Sequence, residues 1–401
     1  MQALLDGIRV VDLTSVVGGP YATMTLADLG AEVITVEPAS GAPMRGIGAS
    51  VKSTGTMGPI HMTVGRGKRS VVLDPQKTAD REALLALIKT ADVVMHNLIA
   101  GDAERLGFGY DDVKALKPDI VYVHILGYSA GGPYSHLPAH DDALQALTGL
   151  TTMMSRADGD PIPRYLPVGI PDKVYGLHAV YATLAALFSR ERTGQGRKVE
   201  VDCFESVTSF NLVEHFFAQV FVPSKAGAGF PRSFASNRQP FPTKDGHISL
   251  VPYTYEAWAK VLEVGGRPEL LKDERFDTFQ KLSANMNDMN GIVAEITPTH
   301  TTAEWLALLA TDVVRPFGTL GGPYAGASVV PVNDLDDIIK DPHLVGSGFF
   351  REREHPTEGR YREMAAPVRF SGLPEQELSH PPGLGEHTKE VLGQLGLGLF
   401  A

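Results

Sequence analysis

The chain has 401 residues, 43% apolar and 21% charged, a composition that excludes disordered and fibrous classes and fits a soluble globular protein with room for two cores. Its formal net charge of −11 argues against a protein that binds nucleic acid, because phosphate backbones call for a basic field. No segment reaches the length of a membrane span, and the opening MQALLDGIRVVDL lacks the basic start and apolar run of a leader, so a cytoplasmic protein is expected.

In chain order, IRVVDL (8–13), AEVITVE (31–37), ADVVMHN (91–97) and DIVYVHILG (119–127) read as β-branched strands. YATMTLADLG, REALLALIKT and DDVKALKP between them read as helices. This alternation predicts a largely parallel sheet with helices packed on it, an α/β fold. After Asp172, the residues Leu177, Val180, Leu184 and Leu187 recur at helical spacing, and Arg190, Arg192 and Gly194 close the segment with a basic last turn and a glycine stop. KVEVD is one more strand and ESVTSFNLVEHFFAQVF a further helix. The Pro-, Gly- and Ser-rich run from Val222 marks a linker, DGHISLVPY a strand, and helical stretches surround Trp258, Met286 and Trp305. The expected division is therefore 1–221 for a large domain, 222–330 for a linker and smaller domain, and 331–401 for a tail that returns to the large one.

Two residue types exclude chemistry. Cys203 is the single cysteine, so no intrachain disulfide forms, and its setting in VEVDCFESV fits a buried, inert thiol. His136 and His140 stand four apart, but Pro138 between them breaks any shared helical face, and no metal is expected.

Four local features can carry chemistry. Gly18-Gly19-Pro20 precedes a helix, where backbone N–H groups suit an anion, although a plain tight turn has the same composition and no G-x-G-x-x-G is present. Arg66, Lys68 and Arg69 place three cations in four residues around Gly67, as a phosphate site or as a solvated turn would. His140-Asp141-Asp142 sets a histidine beside carboxylates, as a general base or as a structural loop group. Asp172 opens its helix, where it can be an N-cap or a nucleophile kept ionised by the helix N-terminus.

Several stretches, in order, carry a resemblance: LLDGIRVVDLTSVVGGPYATMTLADLGAEVITVE, RGKRSVVLD, ADVVMHNLIAGDAERLGFGY, LKPDIVYVHILGYSAGGPY, HDDALQALTGL, GLHAVYATLAALFSRERTGQGRKVEV, PVNDLDDIIKDPHL and GLGEHTKEVL. Together they resemble the class III (CaiB/BaiF-type) coenzyme A transferase family, which also includes 2-methylacyl-CoA racemases. GKRS-x-x-LD, RTG-x-G and the terminal GEHT are the most specific. The resemblance implies a Rossmann-like large domain built from both chain ends, a smaller α+β domain, and an interlocked homodimer. It implies an EC 2.8.3-type transferase in which Asp172 forms an acyl anhydride and then an aspartyl-CoA thioester. Coenzyme A enters as substrate, with no tightly bound cofactor. The stretch around Arg69 and Leu73 matches the segment that holds the CoA nucleotide, and Asn97 and Arg105 match positions near the pantetheine or phosphates.

There are departures. Ser15 and Val17 stand where the formyl-CoA branch has histidine and glutamine, and that branch's glycine-rich loop has no counterpart around Arg238. Racemases of the family carry a histidine followed by Asp at the place of His140, where transferases usually carry Tyr. The Asp-Asp-Ala-Leu after His140 is not the racemase type, which favours CoA transfer between an acyl-CoA and a free carboxylic acid. The alternative is a racemase using His140 and Asp172 as paired acid and base, and a third reading is a non-catalytic CoA-binding relative.

Overall fold

The computed structural model describes residues 3–48, 50, 55–235, 237–309 and 327–397. Segment 310–326, within the expected smaller domain, lies outside the described residues. The chain divides into two compact units: 1–151 with 164–213 and 343–401, and 152–163 with 214–342. The first unit thus draws on both ends of the chain.

Six parallel strands make the sheet of the first unit: β1 (Arg9–Leu13), β2 (Glu32–Glu37), β3 (Lys68–Val72), β4 (Val93–His96), β5 (Val121–Leu126) and β6 (Arg197–Asp202). Their order is β3-β2-β1-β4-β5-β6, the doubly wound Rossmann-like arrangement in which chain direction across the sheet reverses between β1 and β4. Side chains alternate between faces, and each face takes its own helices. Val10, Val33, Val93 and Val121 face α1 (Gly18–Asp28) and α5 (Ile170–Thr193), where Cys203 is also buried. Their neighbours Val11, Ile34, Val94 and Tyr122 face α2 (Thr78–Lys89), α3 (Tyr110–Leu116) and α10 (Thr388–Gln394).

α5 ends at Gly194, whose φ of +68° puts it in the left-handed region that a glycine stop supplies. Two residues on, a Cβ on Gly196 would sit 2.1 Å from the Ile120 carbonyl oxygen. The RTG-x-G sequence is therefore the device that turns a long helix tightly into β6.

The basic stretch Lys68–Val72 is neither a phosphate loop nor a solvated turn but the edge strand β3. The GEHT segment completes that edge. Gly385 N–H donates to Ser70 Oγ, His387 N–H to the Ser70 carbonyl, and Val72 N–H to Thr388 Oγ1. An open sheet edge is thereby covered by the chain's own C-terminal segment.

In the second unit β7 (Phe241–Pro242), β8 (His247–Pro252) and β9 (Ala327–Pro331) form an antiparallel sheet. It shares a core with α7 (Tyr255–Val264), α8 (Met286–Ile296) and α9 (Thr302–Leu309), built on Phe241, Ile248, Trp258, Val293 and Trp305. The helix predicted over ESVTSFNLVEHFFAQVF is α6 (Cys203–His215), which gives way to a 3-10 turn at Phe217–Val220. Phe217 takes a φ of +42°, where a right-handed helix cannot continue.

Candidate active site

In open α/β sheets, ligands sit beyond the carboxyl ends of the strands at the switch point. Here that place lies between the loops after β1 and β4, and Asn97 ties the two together. Its Oδ1 accepts from Ser15 N–H at 3.0 Å, and its Nδ2 donates to the Ser15 carbonyl at 3.1 Å. The next residue, Val16, has φ +69°, a left-handed backbone that a β-branched side chain adopts only under constraint. Val17 then caps α1 at Gly18.

Gly18 lets α1 meet α5. A Cβ there would lie 2.2 Å from the Tyr175 ring and 2.6 Å from the Asp172 carbonyl oxygen, so no other residue fits without displacing the helix. On α5 itself the helix starts earlier than an N-cap role for Asp172 requires. Gly169 occupies the cap position, Pro171 sits in the first turn as its fixed φ favours, and the Asp172 side chain makes no capping bond. The N-cap reading is corrected accordingly.

What Asp172 does instead is specific. Its Oδ1 accepts the Tyr175 hydroxyl at 2.6 Å, while Oδ2 takes no hydrogen bond among the described residues. The residue is 9% exposed. Burial pushes the Asp172 carboxyl above the usual aspartate range. The Tyr175 hydroxyl opposes this, the Asp141 charge adds to it, and Lys173 and His140 draw it back. Desolvation thus acts on this carboxyl against the ionising pull of the helix N-terminus. Burial, and then the Asp172 charge, drive the Tyr175 phenol far up, so it remains a donor at any working pH.

Asp141 fixes the backbone under the carboxylate. It is the first residue of α4 (Asp141–Leu147); its Oδ2 accepts Asp172 N–H at 3.2 Å and its Oδ1 the Gln145 amide at 2.7 Å. His140 caps α4 in an extended conformation without a side-chain cap bond, is exposed, and lies close enough for its charge to act on Asp172. Tyr175 and the anchoring role of Asp141 were not read from the sequence. The spacing of Asp172 and Tyr175, three apart on one helix face, is the signal that could have found the first.

The expected CoA contacts are placed differently from one another. Arg66 pairs with Asp28 at 2.6 Å, both nearly fully buried, and Lys68 reaches Thr23 Oγ1 at 2.7 Å, the Pro20 carbonyl at 2.9 Å and Asp12 at 3.3 Å. Both cations are spent on internal acids, so the phosphate-binding reading is corrected for them: neither presents charge to solvent. Arg69 bonds Glu32 at 2.7 Å and stands 2.9 Å from Glu390, the latter off hydrogen-bonding direction since the same nitrogen has no geometrically good acceptor. Leu73 is 2% exposed and belongs to the core. Asn97 is committed to the Ser15 loop. Arg105 alone of the set stands well out, its side chain 65% exposed beside Asp102.

A doubly wound parallel sheet, with a buried carboxylate beside the loop after its first strand, one oxygen anchored and the other unbonded, defines the α/β class of this protein. The profile of CoA-transferase family III matches residues 5–388, and the chain belongs to that family. It is similar to the succinyl-CoA:glutarate CoA-transferase of Homo sapiens, 30% identical over 394 residues that cover 98% of this chain and 86% of that protein. It is also similar to the succinyl-CoA:mesaconate CoA-transferase of Haloarcula hispanica, 30% identical over 98% of this chain and 97% of the relative. A crystal structure of a CaiB/BaiF family protein from Brucella suis superposes with a TM-score of 0.81 at 28% identity, over 98% of this chain and 100% of the other.

Proposed function

We propose that the protein moves coenzyme A from an acyl-CoA thioester to a free carboxylic acid, with Asp172 as covalent nucleophile. The observation that carries this is the asymmetric carboxylate: Tyr175 orients it through Oδ1 and leaves Oδ2 without a competing donor. In the first step Oδ2 attacks the thioester carbonyl, the C–S bond breaks, CoA leaves as thiolate and a mixed anhydride forms. The thiolate attacks the aspartyl carbonyl, which releases the donor acid and leaves an aspartyl-CoA thioester. The acceptor carboxylate then attacks that thioester and expels the thiolate, and the thiolate attacks the acceptor's acyl carbon to give the new acyl-CoA and free Asp172. Each step exchanges one acyl bond for another, and no redox partner is consumed.

The names of the relatives support CoA transfer between acids and point to dicarboxylates as the acids to try. Arg105, with Arg69 at the edge of its ion pairs, is the cation we assign to the CoA phosphates. The proposed assembly is an interlocked homodimer working in the cytoplasm. Along α5, Leu177, Tyr181 and Phe188 form an exposed apolar stripe, and α6 exposes Phe210 and Val213. A second copy is the occupant the family resemblance supplies for that face. The exposed His140 beside Asp172 is the one observation that favours the racemase alternative. Incubation with succinyl-CoA and a panel of acids including glutarate and mesaconate, read by mass spectrometry, should yield a new acyl-CoA for some acceptor. Loss of α-hydrogen to solvent deuterium with no transfer across the panel would sink this reading in favour of the racemase.

A further inference from the structure

The second unit contains a cavity of about 260 Å³ bordered by the turn Pro231–Phe234, β8, α7 and α8. In a chain with 47 acidic residues, its described lining holds two arginines, Arg232 and Arg238, and no acid. Neither guanidinium has a hydrogen-bond or ion-pair partner among the described residues. Phe241, Leu250 and Met286 supply apolar wall.

A second observation points to a ligand. Trp258 lines the cavity, is 2% exposed, and its indole N–H is buried without an acceptor. Trp305, the other tryptophan of the chain, donates its indole N–H to the Thr297 carbonyl at 2.8 Å, as a buried indole ordinarily does. With no acid in the described lining, the exposed Arg232 and Arg238 leave this wall positively charged, beside a tryptophan whose donor is unpaired among the described residues.

We propose that this cavity binds an organic carboxylate, with Arg232 and Arg238 on the anionic group, the Trp258 indole N–H as a further donor, and the carbon body on the apolar wall. A cavity of about 260 Å³ has room for a short acid. The choice of a carboxylic acid as ligand rests on the transferase reading above, whereas the cavity's preference for an anion does not.

The test uses full-length protein labelled with ¹⁵N-tryptophan and carrying Asp172→Asn, so that no turnover occurs. Trp258→Phe assigns the two indole N–H signals. Glutarate should shift the Trp258 signal saturably and leave Trp305 in place, and Arg232→Gln with Arg238→Gln, both exposed positions, should raise the Kd about 10- to 100-fold. Binding of inorganic phosphate with equal affinity would overturn the assignment to carboxylates, as would a Trp258 signal that no acid moves. CoA transfer by the unlabelled enzyme is measured separately, so an empty cavity with intact transfer refutes the site alone, and a responsive cavity without transfer refutes the transferase reading alone.

Discussion

Removing one oxygen atom tests the tuning of the proposed nucleophile. Tyr175→Phe keeps the ring that packs against Gly18 and deletes the hydroxyl 2.6 Å from Asp172 Oδ1. A hydrogen bond to an ionised group contributes about 1.5–3 kcal/mol, and its loss should raise the Asp172 pKa further. In the proposed mechanism only ionised Asp172 attacks, so the acidic limb of the kcat profile should move to higher pH, with the basic side unchanged. The stability profile carries the same sign. Because burial raises Asp172 above its unfolded range, the folded state holds the proton more tightly, and stability falls as pH rises from about 4 through the folded pKa. Tyr175→Phe widens that window, and Asp172→Asn removes it and should raise the Tm at neutral pH. Stopped-flow or steady-state rates against pH, with thermal melts alongside, supply both readings. An acidic limb that stays in place in Tyr175→Phe would refute the argument.

Other outcomes follow from the same geometry. Asp141→Asn removes a charge that raises Asp172 while keeping an oxygen for the Asp172 N–H, so its acidic limb should move to lower pH, opposite to Tyr175→Phe, in the same rate measurement. Lys68→Met strands the buried Asp12 and should cost about 3–5 kcal/mol in urea unfolding. Arg105→Ala should leave unfolding unchanged and weaken CoA binding by about 1.5–3 kcal/mol in calorimetry. The reverse pattern would return Lys68 to the ligand site. Light scattering at micromolar concentration should give about twice 43.1 kDa, and a monomer would remove α5 as a subunit interface.

The parallel sheet was legible because each strand is a short β-branched run between helical patterns, and α5 because apolar spacing ends at a glycine that only a left-handed stop requires. The ion pairs of the basic triplet were not legible, for a physical reason. Lys68, Arg66 and Arg69 find Asp12, Asp28 and Glu32 across 56, 38 and 37 residues of chain, and such separations leave no local trace. Likewise GKRS and GEHT, quoted as separate motifs, are two sides of one edge, joined by Ser70 over 315 residues. The helix that carries Asp172 was legible, but the burial of its carboxyl was not, because a helix N-terminus shows in sequence whereas desolvation does not.

The central claim is a covalent bond to Asp172, and the most direct measurement is to trap it. The enzyme is incubated with an acyl-CoA it accepts, quenched with hydroxylamine or borohydride, digested, and its peptides are weighed. Attack by Oδ2 predicts a modified peptide containing Pro171-Asp172-Lys173, absent in Asp172→Asn, with His140→Ala still forming the adduct at a reduced rate. An unmodified Asp172 peptide during active turnover, together with deuterium entering the substrate's α-carbon in a manner that needs both His140 and Asp172, would contradict the account.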